Sequence, residues 1–118
     1  MREPTVEQVM QEPVYTVNAD DPVQTAVERM RELGTKKILV LKNGKPAGVL
    51  EAWMITTRDY TRKIGDMELR PFGKAPVGAS LSKVKGDISS YTAVYIYDPK
   101  NPEEFVGVVT SYDFVRAL

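Results

Sequence analysis

The chain has 118 residues, which is enough for one domain or for two very small units that share a core. Its 16 basic and 16 acidic residues cancel, so bulk positive charge cannot drive binding to nucleic acid, and we expect no nucleic-acid partner. It contains no Cys and no His, which excludes disulfides, catalysis by Ser–His–Asp or Cys–His groups, and the commonest metal ligands. We therefore expect a protein that is not an enzyme and that holds no metal.

The sequence also lacks the features that direct a chain to a membrane. No apolar run approaches the roughly 18 residues that a spanning helix needs. The N-terminal stretch MREPTVEQVM is charged from its second position and contains no apolar signal-peptide core. We expect a cytoplasmic protein with no membrane partner.

The first elements in chain order are a short helix and a short strand. Residues 5–10, TVEQVM, predict a helix that Thr5 caps. Pro13 ends this helix, and VYTV at residues 14–17 alternates in the manner of a strand.

A longer amphipathic helix follows. Asp21 as the N-cap and Pro22 at the first helical position predict its start, and Gly34 predicts its end. Between them, apolar residues recur at spacings of three and four, which places on one face Val23, Ala26, Val27, Met30 and Leu33.

A hairpin and a second helix complete this half of the chain. Residues 38–41 and 47–50 predict two strands, and Asn43-Gly44 between them favours a tight turn. Residues 52–63 predict a helix. The order is therefore strand, helix, strand, strand, helix.

The later part of the chain repeats this order. Gly48 opens the triplet GVL and Gly107 opens GVV, 59 positions later. Pro13-Val14 and Pro76-Val77 form a second matched pair, 63 positions apart. We interpret the chain as an internal repeat; two unrelated hairpin–helix pieces are the alternative.

The repeat predicts the organisation of the chain. Residues 1–66 form the first motif with its N-terminal helix, residues 67–75 form a linker with Pro and Gly, and residues 76–118 form the second motif.

The second motif is shorter in this alignment. Pro13 and Leu39 lie 26 positions apart, whereas Pro76 and Val94 lie 18 apart, so eight residues are missing where the first motif has its long helix. Because Gly86 also falls there, we expect one or two irregular turns instead of a helix.

Several segments together resemble a pair of CBS domains, the cystathionine β-synthase type. They are VMQEPVYTV at residues 9–17, DDPV at 20–23, GTKKILV at 34–40, GVL at 48–50 and GVVTSYDFVRAL at 107–118. The resemblance implies an α/β (α+β) fold of two β-α-β-β-α units related by a pseudo-twofold axis, with the second unit shortened.

The same resemblance implies a function. Clefts between paired CBS motifs commonly hold an adenosine-containing ligand, such as AMP, ADP, ATP, S-adenosylmethionine or a dinucleotide, and no cofactor is required. The expected role is regulation or energy sensing, with a possible regulated protein partner and assembly into a disc-like homodimer.

The ending of the second motif supplies the main candidate residues. Asp113 could accept hydrogen bonds from both hydroxyls of a ribose, and Thr110 could add a hydroxyl. The alternative is that Thr110 caps a helix and Asp113 is the third residue of its first turn. By the family pattern, the full ligand-binding set is Pro13, Val14, Tyr15, Thr35, Lys36, Lys37, Val108, Thr110, Tyr112 and Asp113.

Two members of this set carry open alternatives. Tyr15 could stack on an adenine or could pack within its strand. Lys36 and Lys37 point in opposite directions in a strand, so at most one is expected to reach a phosphate.

The ending of the first motif has different residues. Glu51 and Met54 stand where the second motif has Thr110 and Asp113, so we expect this ending not to bind a nucleotide, and one ligand to bind per chain. Thr56-x-x-Asp59 repeats the spacing five positions too late.

Trp53 and Met54 are predicted to pack in the core or at a homodimer contact, which would use the helices after Gly48 and Gly107. The competing function is a scaffold without a ligand that dimerises or docks on an enzyme.

Overall fold

The protein is described by a computed structural model over residues 3–117, and it divides into two compact units. Residues Tyr15–Arg70 form one of them, called the central unit below. Residues before Tyr15 and after Arg70 form the other, called the terminal unit.

The central unit is a three-stranded sheet with one long helix. Its strands are β1 (Thr16–Asn18), β2 (Lys37–Lys42) and β3 (Lys45–Glu51), in that order across the sheet. β1 is parallel to β2, and β2 is antiparallel to β3. The crossover between β1 and β2 contains helix α2 (Val23–Leu33), as a parallel pair requires.

The terminal unit has the same topology. Its strands β4 (Gly73–Pro76), β5 (Val94–Asp98) and β6 (Asn101–Val109) form a sheet in that order, again with a parallel and then an antiparallel pair. Three helices belong to this unit: α1 (Val6–Val9), α3 (Leu81–Ser90) and α4 (Ser111–Ala117). The predicted α/β class with two small three-stranded sheets is confirmed.

Each unit has its own apolar core. In the central unit α2 buries Val23, Ala26 and Met30 against the sheet residues Ile38, Val40 and Leu50. In the terminal unit α3 buries Leu81 and Val84, and the same cluster contains Val6, Ala75, Val94, Ile96 and Val109.

Local sequence signals for the central unit are largely confirmed. Gly34 ends α2 in the left-handed conformation, with φ 66°. Asn43 and Gly44 form the hairpin turn with φ 54° and 77°, the signature of a type I′ turn. The N-cap of α2 is Pro22 rather than the predicted Asp21, and β1 begins two residues later than predicted.

The strand registers correct the predicted alignment of the repeat. Val17 pairs with Val40, which pairs with Gly48; Ala75 pairs with Ile96, which pairs with Gly107. Val17 and Ala75 are therefore equivalent and lie 58 positions apart. By that offset Pro76 corresponds to Asn18, so the predicted match of Pro13 with Pro76 is wrong.

The second repeat is consequently close to full length. Val17 to Val40 spans 23 positions and Ala75 to Ile96 spans 21, a difference of two residues rather than eight. The expectation of irregular turns here is also wrong, because α3 is a helix of ten residues. Burial of its apolar face outweighs the low helix propensity of Gly86.

The helix predicted over residues 52–63 is not formed. The segment contains 3₁₀ turns at Ala52–Met54 and Thr57–Asp59, and a third lies at Ile64–Asp66. Ile55 and Thr56 between the first two are extended, with ψ 130° and 166°. Three consecutive β-branched residues at 55–57 disfavour a continuous helix.

Two extended segments, one preceding each repeat, cross over the glycines of the hairpins. Arg70 exchanges backbone hydrogen bonds with Val49, at 2.8 and 2.9 Å, and Gln11 does so with Val108, at 2.8 and 3.1 Å. A side chain at Gly48 would meet Leu69, whose Cβ lies 2.7 Å from the position of the missing Cβ. Glycine at this position is what permits the close crossing.

These crossings divide the chain differently from the expected organisation. Residues 69 and 70, predicted to be linker, complete the central unit, and β4 already begins at Gly73. Helix α1, which was grouped with the first motif, packs in the terminal unit with Val6 fully buried there.

Candidate functional site

The junction of β6 and α4 in the terminal unit contains Thr110 and Asp113. Asp113 is fully buried. Its Oδ2 accepts hydrogen bonds from the backbone N–H of Thr110, at 2.7 Å, and from the Thr110 hydroxyl, at 3.3 Å. The bond from the Thr110 N–H is the half of a capping box in which the side chain of the third helical residue accepts from the N-cap backbone.

A third partner of Asp113 comes from the N-terminal segment. The side-chain amide of Gln11 donates to Oδ1 of Asp113 at 3.0 Å, across a sequence separation of 102 residues. Backbone pairing of Gln11 with Val108 places the amide there. The sequence analysis missed Gln11, because only the tertiary pairing brings it to the carboxylate.

The helix-capping alternative for Thr110 and Asp113 is therefore present in the structure. Both carboxylate oxygens of Asp113 already accept hydrogen bonds within the unit. A ribose-binding role for Asp113 stays a prediction, and a ligand hydroxyl would have to reach a carboxylate that is fully buried in this unit.

The corresponding place in the central unit has a carboxylate of a different kind. Glu51, at the end of β3, is 8% exposed, and its oxygens lie 3.8 Å from Lys37 Nζ and 3.9 Å from Arg70 Nε. Lys37 is the direct cross-strand partner of Glu51, and Arg70 is carried there by the crossing segment. Within this unit, the positive charge of Lys37 is directed at Glu51.

Next to the Glu51 end of the sheet, Lys36 and Thr35 line a cleft of about 390 Å³ on the central unit. The Thr35 hydroxyl donates to the backbone carbonyl of Lys37 at 3.0 Å. Lys36, which lies just before β2, is exposed, and Lys37, the first residue of β2, is half-buried.

The remaining predicted residues are placed as follows. Tyr15 is half-buried and packs against the core of the central unit, which is the strand-packing alternative. In the terminal unit, Val14 and Val108 are half-buried, Pro13 is exposed, and Tyr112 is 63% exposed on α4.

Trp53 and Met54 differ from each other in exposure. Trp53 is 73% exposed and so is not a core residue, whereas Met54 is half-buried.

Thr56 and Asp59, which repeat the Thr-x-x-Asp spacing in the first motif, also cap a turn. Asp59 Oδ2 accepts from the Thr56 backbone N–H at 2.9 Å and Oδ1 accepts from Arg62 at 3.0 Å. The Thr56 backbone N–H, followed by Arg62, lowers the pKa of Asp59. This cap lies at the surface, unlike the buried cap at Asp113.

Within residues 3–117 no helix is both long and apolar enough to cross a membrane. The same residues contain no group of three or more acidic side chains arranged to hold a metal ion.

Part of the chain matches a known family in sequence, and nearly the whole chain resembles solved structures in fold. The family model described as the CBS domain matches residues 6–61. No curated protein is detectably similar to the chain in sequence.

Solved structures with the same fold include CBS-domain proteins at low sequence identity. A hemolysin-like protein containing a CBS domain, from Oenococcus oeni PSU, has a TM-score of 0.84 and 17% identity over 98% of this chain and 90% of its own. The CBS domain pair of protein MJ0100, in complex with 5-methylthioadenosine and S-adenosyl-L-methionine, has a TM-score of 0.80 and 19% identity over 98% and 95%. The CBS domain of the bacterial CNNM/CorC family Mg²⁺ transporter has a TM-score of 0.78 and 15% identity over 96% and 73%.

Proposed function

We propose that this chain, which contains a CBS domain match and has the fold of CBS domain pairs, is a non-catalytic regulatory module that binds an adenosine-containing ligand. The observation that carries the proposal is the junction of β6 and α4. There a buried carboxylate is held in place by a helix cap on one oxygen and by the amide of an exposed glutamine on the other.

The two oxygens of Asp113 have different partners, and this suggests how a ribose would bind. Oδ2 bonds the backbone N–H of Thr110 and must keep that bond for α4 to begin there. Oδ1 bonds the side chain of Gln11, an exposed residue whose amide can turn to water at small cost. A ribose hydroxyl would replace the Gln11 amide at Oδ1 and gain a charge-assisted hydrogen bond.

The ligand class follows from this chemistry. A carboxylate oxygen is a strong acceptor for a sugar hydroxyl, and the CBS domain pair of MJ0100 was solved with two adenosine-containing ligands. AMP, ADP, ATP and S-adenosylmethionine are therefore the compounds to test, as an energy or metabolite signal for a regulated partner protein in the cytoplasm. In the central unit Met54 stands at the Asp113 position and has no carboxylate, and Glu51 is paired with Lys37 and Arg70, so we propose one ligand per chain.

The test is calorimetric titration of these compounds, and of NAD, into the parent protein and three variants. Asp113→Ala should weaken binding at least tenfold, since one or two charge-assisted hydrogen bonds of about 1.5–3 kcal/mol each are lost. Gln11→Ala should bind as tightly as the parent or more tightly, because the competing amide is gone. Asp59→Ala, which removes the surface copy of the cap, should leave the affinity unchanged.

Two results would refute the proposal. One is a parent protein that binds none of the compounds. The other is an Asp113→Ala protein, shown by circular dichroism to be folded at the assay temperature, that binds them as well as the parent does.

A ligand-free scaffold is the second candidate function, and specific exposed residues favour it. In the central unit Trp53 is 73% exposed; in the terminal unit Tyr112 and Val115 are 63% and 68% exposed. Large apolar side chains at a surface are suited to contacts between proteins. We propose a homodimer that uses the segments after Gly48 and Gly107.

Light scattering tests the proposed dimer. At high micromolar concentration the parent should have the mass of a dimer, and Trp53→Ala should shift the equilibrium toward monomer. A parent that remains monomeric would contradict the homodimer.

A further inference from the structure

A cleft on the central unit has the composition of a ligand site of its own. It lies between the second half of α2 and the segment of 3₁₀ turns that follows β3, and its volume is about 390 Å³. Its apolar surface comes from Val27, Met30 and Ile55, with the ring of Tyr60 at one side. A mostly apolar cleft of this size is typical of small-molecule sites.

The walls of the cleft are fixed by backbone hydrogen bonds. The N–H groups of Val23 and Gln24, at the start of α2, donate to the carbonyls of Arg62 and Tyr60 at 2.8 and 3.1 Å. At the base of the cleft, Met30 is 4% exposed and belongs to the core. The extended backbone at Ile55 and Thr56 keeps the 3₁₀ segment from covering this surface as a continuous helix would. The opening is therefore part of the folded unit.

The charge of the cleft is positive. Arg31, in the last turn of α2, and Lys36, just before β2, line it, and no carboxylate does. Within the part of the chain that the structure describes, neither cation forms an ion pair or a side-chain hydrogen bond. The nearby Asp59 is engaged by Arg62 and by the Thr56 cap.

We infer that this cleft binds a small amphipathic anion, with an apolar chain or ring on Val27, Met30 and Ile55 and one anionic head group between Arg31 and Lys36. Apolar contact supplies the affinity, and the two cations select an acid over its neutral analogue. The cleft includes neither Asp113 nor its partners Thr110 and Gln11. Thr35 and Lys36, which the family pattern groups with the adenosine ligand, serve this separate site instead.

The probe is 8-anilinonaphthalene-1-sulfonate, an aromatic anion that fluoresces in apolar surroundings. We expect one site per chain on the folded protein, with decanoate displacing the probe on the order of tenfold more effectively than decanol, which lacks the charge. The Arg31→Ala/Lys36→Ala double variant should weaken probe binding on the order of tenfold. These side chains are exposed, so circular dichroism should show an unchanged fold.

The matched control is the Arg29→Ala/Lys42→Ala double variant. Arg29 lies on the same helix and Lys42 at the other end of β2; both are exposed and neither lines the cleft. The control should bind the probe like the parent. Equal binding by both double variants would overturn the inference, as would equal displacement by decanoate and decanol.

AMP and the Asp113→Ala variant separate this site from the proposed adenosine site. AMP should not displace the probe, and Asp113→Ala should bind the probe normally. Displacement by AMP would show that the cleft is the nucleotide site and would overturn the assignment of a separate ligand.

Discussion

Replacing Asp113 by Ala tests how much the buried cap at the start of α4 contributes to stability. An exposed carboxylate in the first turn of a helix contributes about 0.3–1 kcal/mol. Asp113 is not exposed, and its contacts include hydrogen bonds at 2.7 and 3.3 Å from Thr110 and at 3.0 Å from Gln11. The truncation would leave the Thr110 N–H without its acceptor at the helix start.

The expected cost follows from these contacts. Hydrogen bonds to a charged group contribute about 1.5–3 kcal/mol each, but they do not add in full. Because Gln11 is exposed and Thr110 is half-buried, water replaces part of what is lost. We expect a decrease of about 2–3 kcal/mol in the free energy of unfolding, a large share of the roughly 5–15 kcal/mol of a typical domain.

Thermal and urea unfolding measure this decrease. For a chain of this length the midpoint should fall by about 10 °C. Asp59→Ala is the matched control, since it removes the same Thr-x-x-Asp cap from a surface turn, and its midpoint should fall much less. Asp113→Asn, which keeps an acceptor oxygen, should lie between the parent and Asp113→Ala.

Equal effects of Asp113→Ala and Asp59→Ala would refute the reasoning, because burial and the Gln11 contact would then contribute nothing. An Asp113→Ala midpoint within about 2 °C of the parent would do the same.

The remaining predictions concern pH and glycine. Hydrogen bonds from its own backbone N–H and from that of Gly78 lower the pKa of Glu7. The carboxylate therefore contributes stability above its ordinary pKa of 4.5, and this contribution is lost as the pH falls through the lowered value. Glu7→Gln should remove that part of the acid sensitivity in urea titrations at several pH values, and an unchanged pH profile would refute this prediction. Burial raises the pKa of Tyr95, so its hydroxyl ionises in the unfolded chain at a lower pH than in the folded protein. The free energy of unfolding should therefore fall as the pH rises above about 10. Tyr95→Phe should reduce that decline, and an equally steep decline would count against the prediction. Gly48→Ala should destabilise by about 1–3 kcal/mol, because its Cβ would lie 2.7 Å from a neighbouring side-chain carbon. Gly86→Ala should stabilise the protein by about 1 kcal/mol, because Gly86 lies within α3 and an added Cβ would meet no atom within 4 Å. Denaturant titrations that find Gly48→Ala more stable than Gly86→Ala would contradict both predictions.

The sequence by itself determined the elements whose causes are local. The turn at Asn43-Gly44 needs two residues that tolerate positive φ, and the end of α2 needs Gly34; both appear in the sequence where the structure uses them. The apolar face of α2 and the two hairpins that contain Gly48 and Gly107 could also be predicted, because their signals are local in the sequence. Together they predicted the two small α/β sheets.

Some local predictions were wrong because a competing local or tertiary effect was stronger. The helix over residues 52–63 is replaced by 3₁₀ turns, since its β-branched residues 55–57 and the cap between Thr56 and Asp59 favour a break. The helix α3 forms despite Gly86, because the core of the terminal unit buries Leu81 and Val84. The strand registers, rather than the recurring Pro-Val pair, decide that Pro76 is equivalent to Asn18 and not to Pro13.

The candidate site shows what only the tertiary structure decided. Thr110 and Asp113 are close in sequence, and their spacing alone indicated a cap or a ligand contact. Gln11 reaches Asp113 from 102 positions away, and Arg70 reaches Glu51 from the segment predicted to be linker. Sequence periodicity and spacing do not predict these contacts. They form only when the chain folds and the segments at Gln11 and Arg70 pair with Val108 and Val49, next to the hairpin glycines.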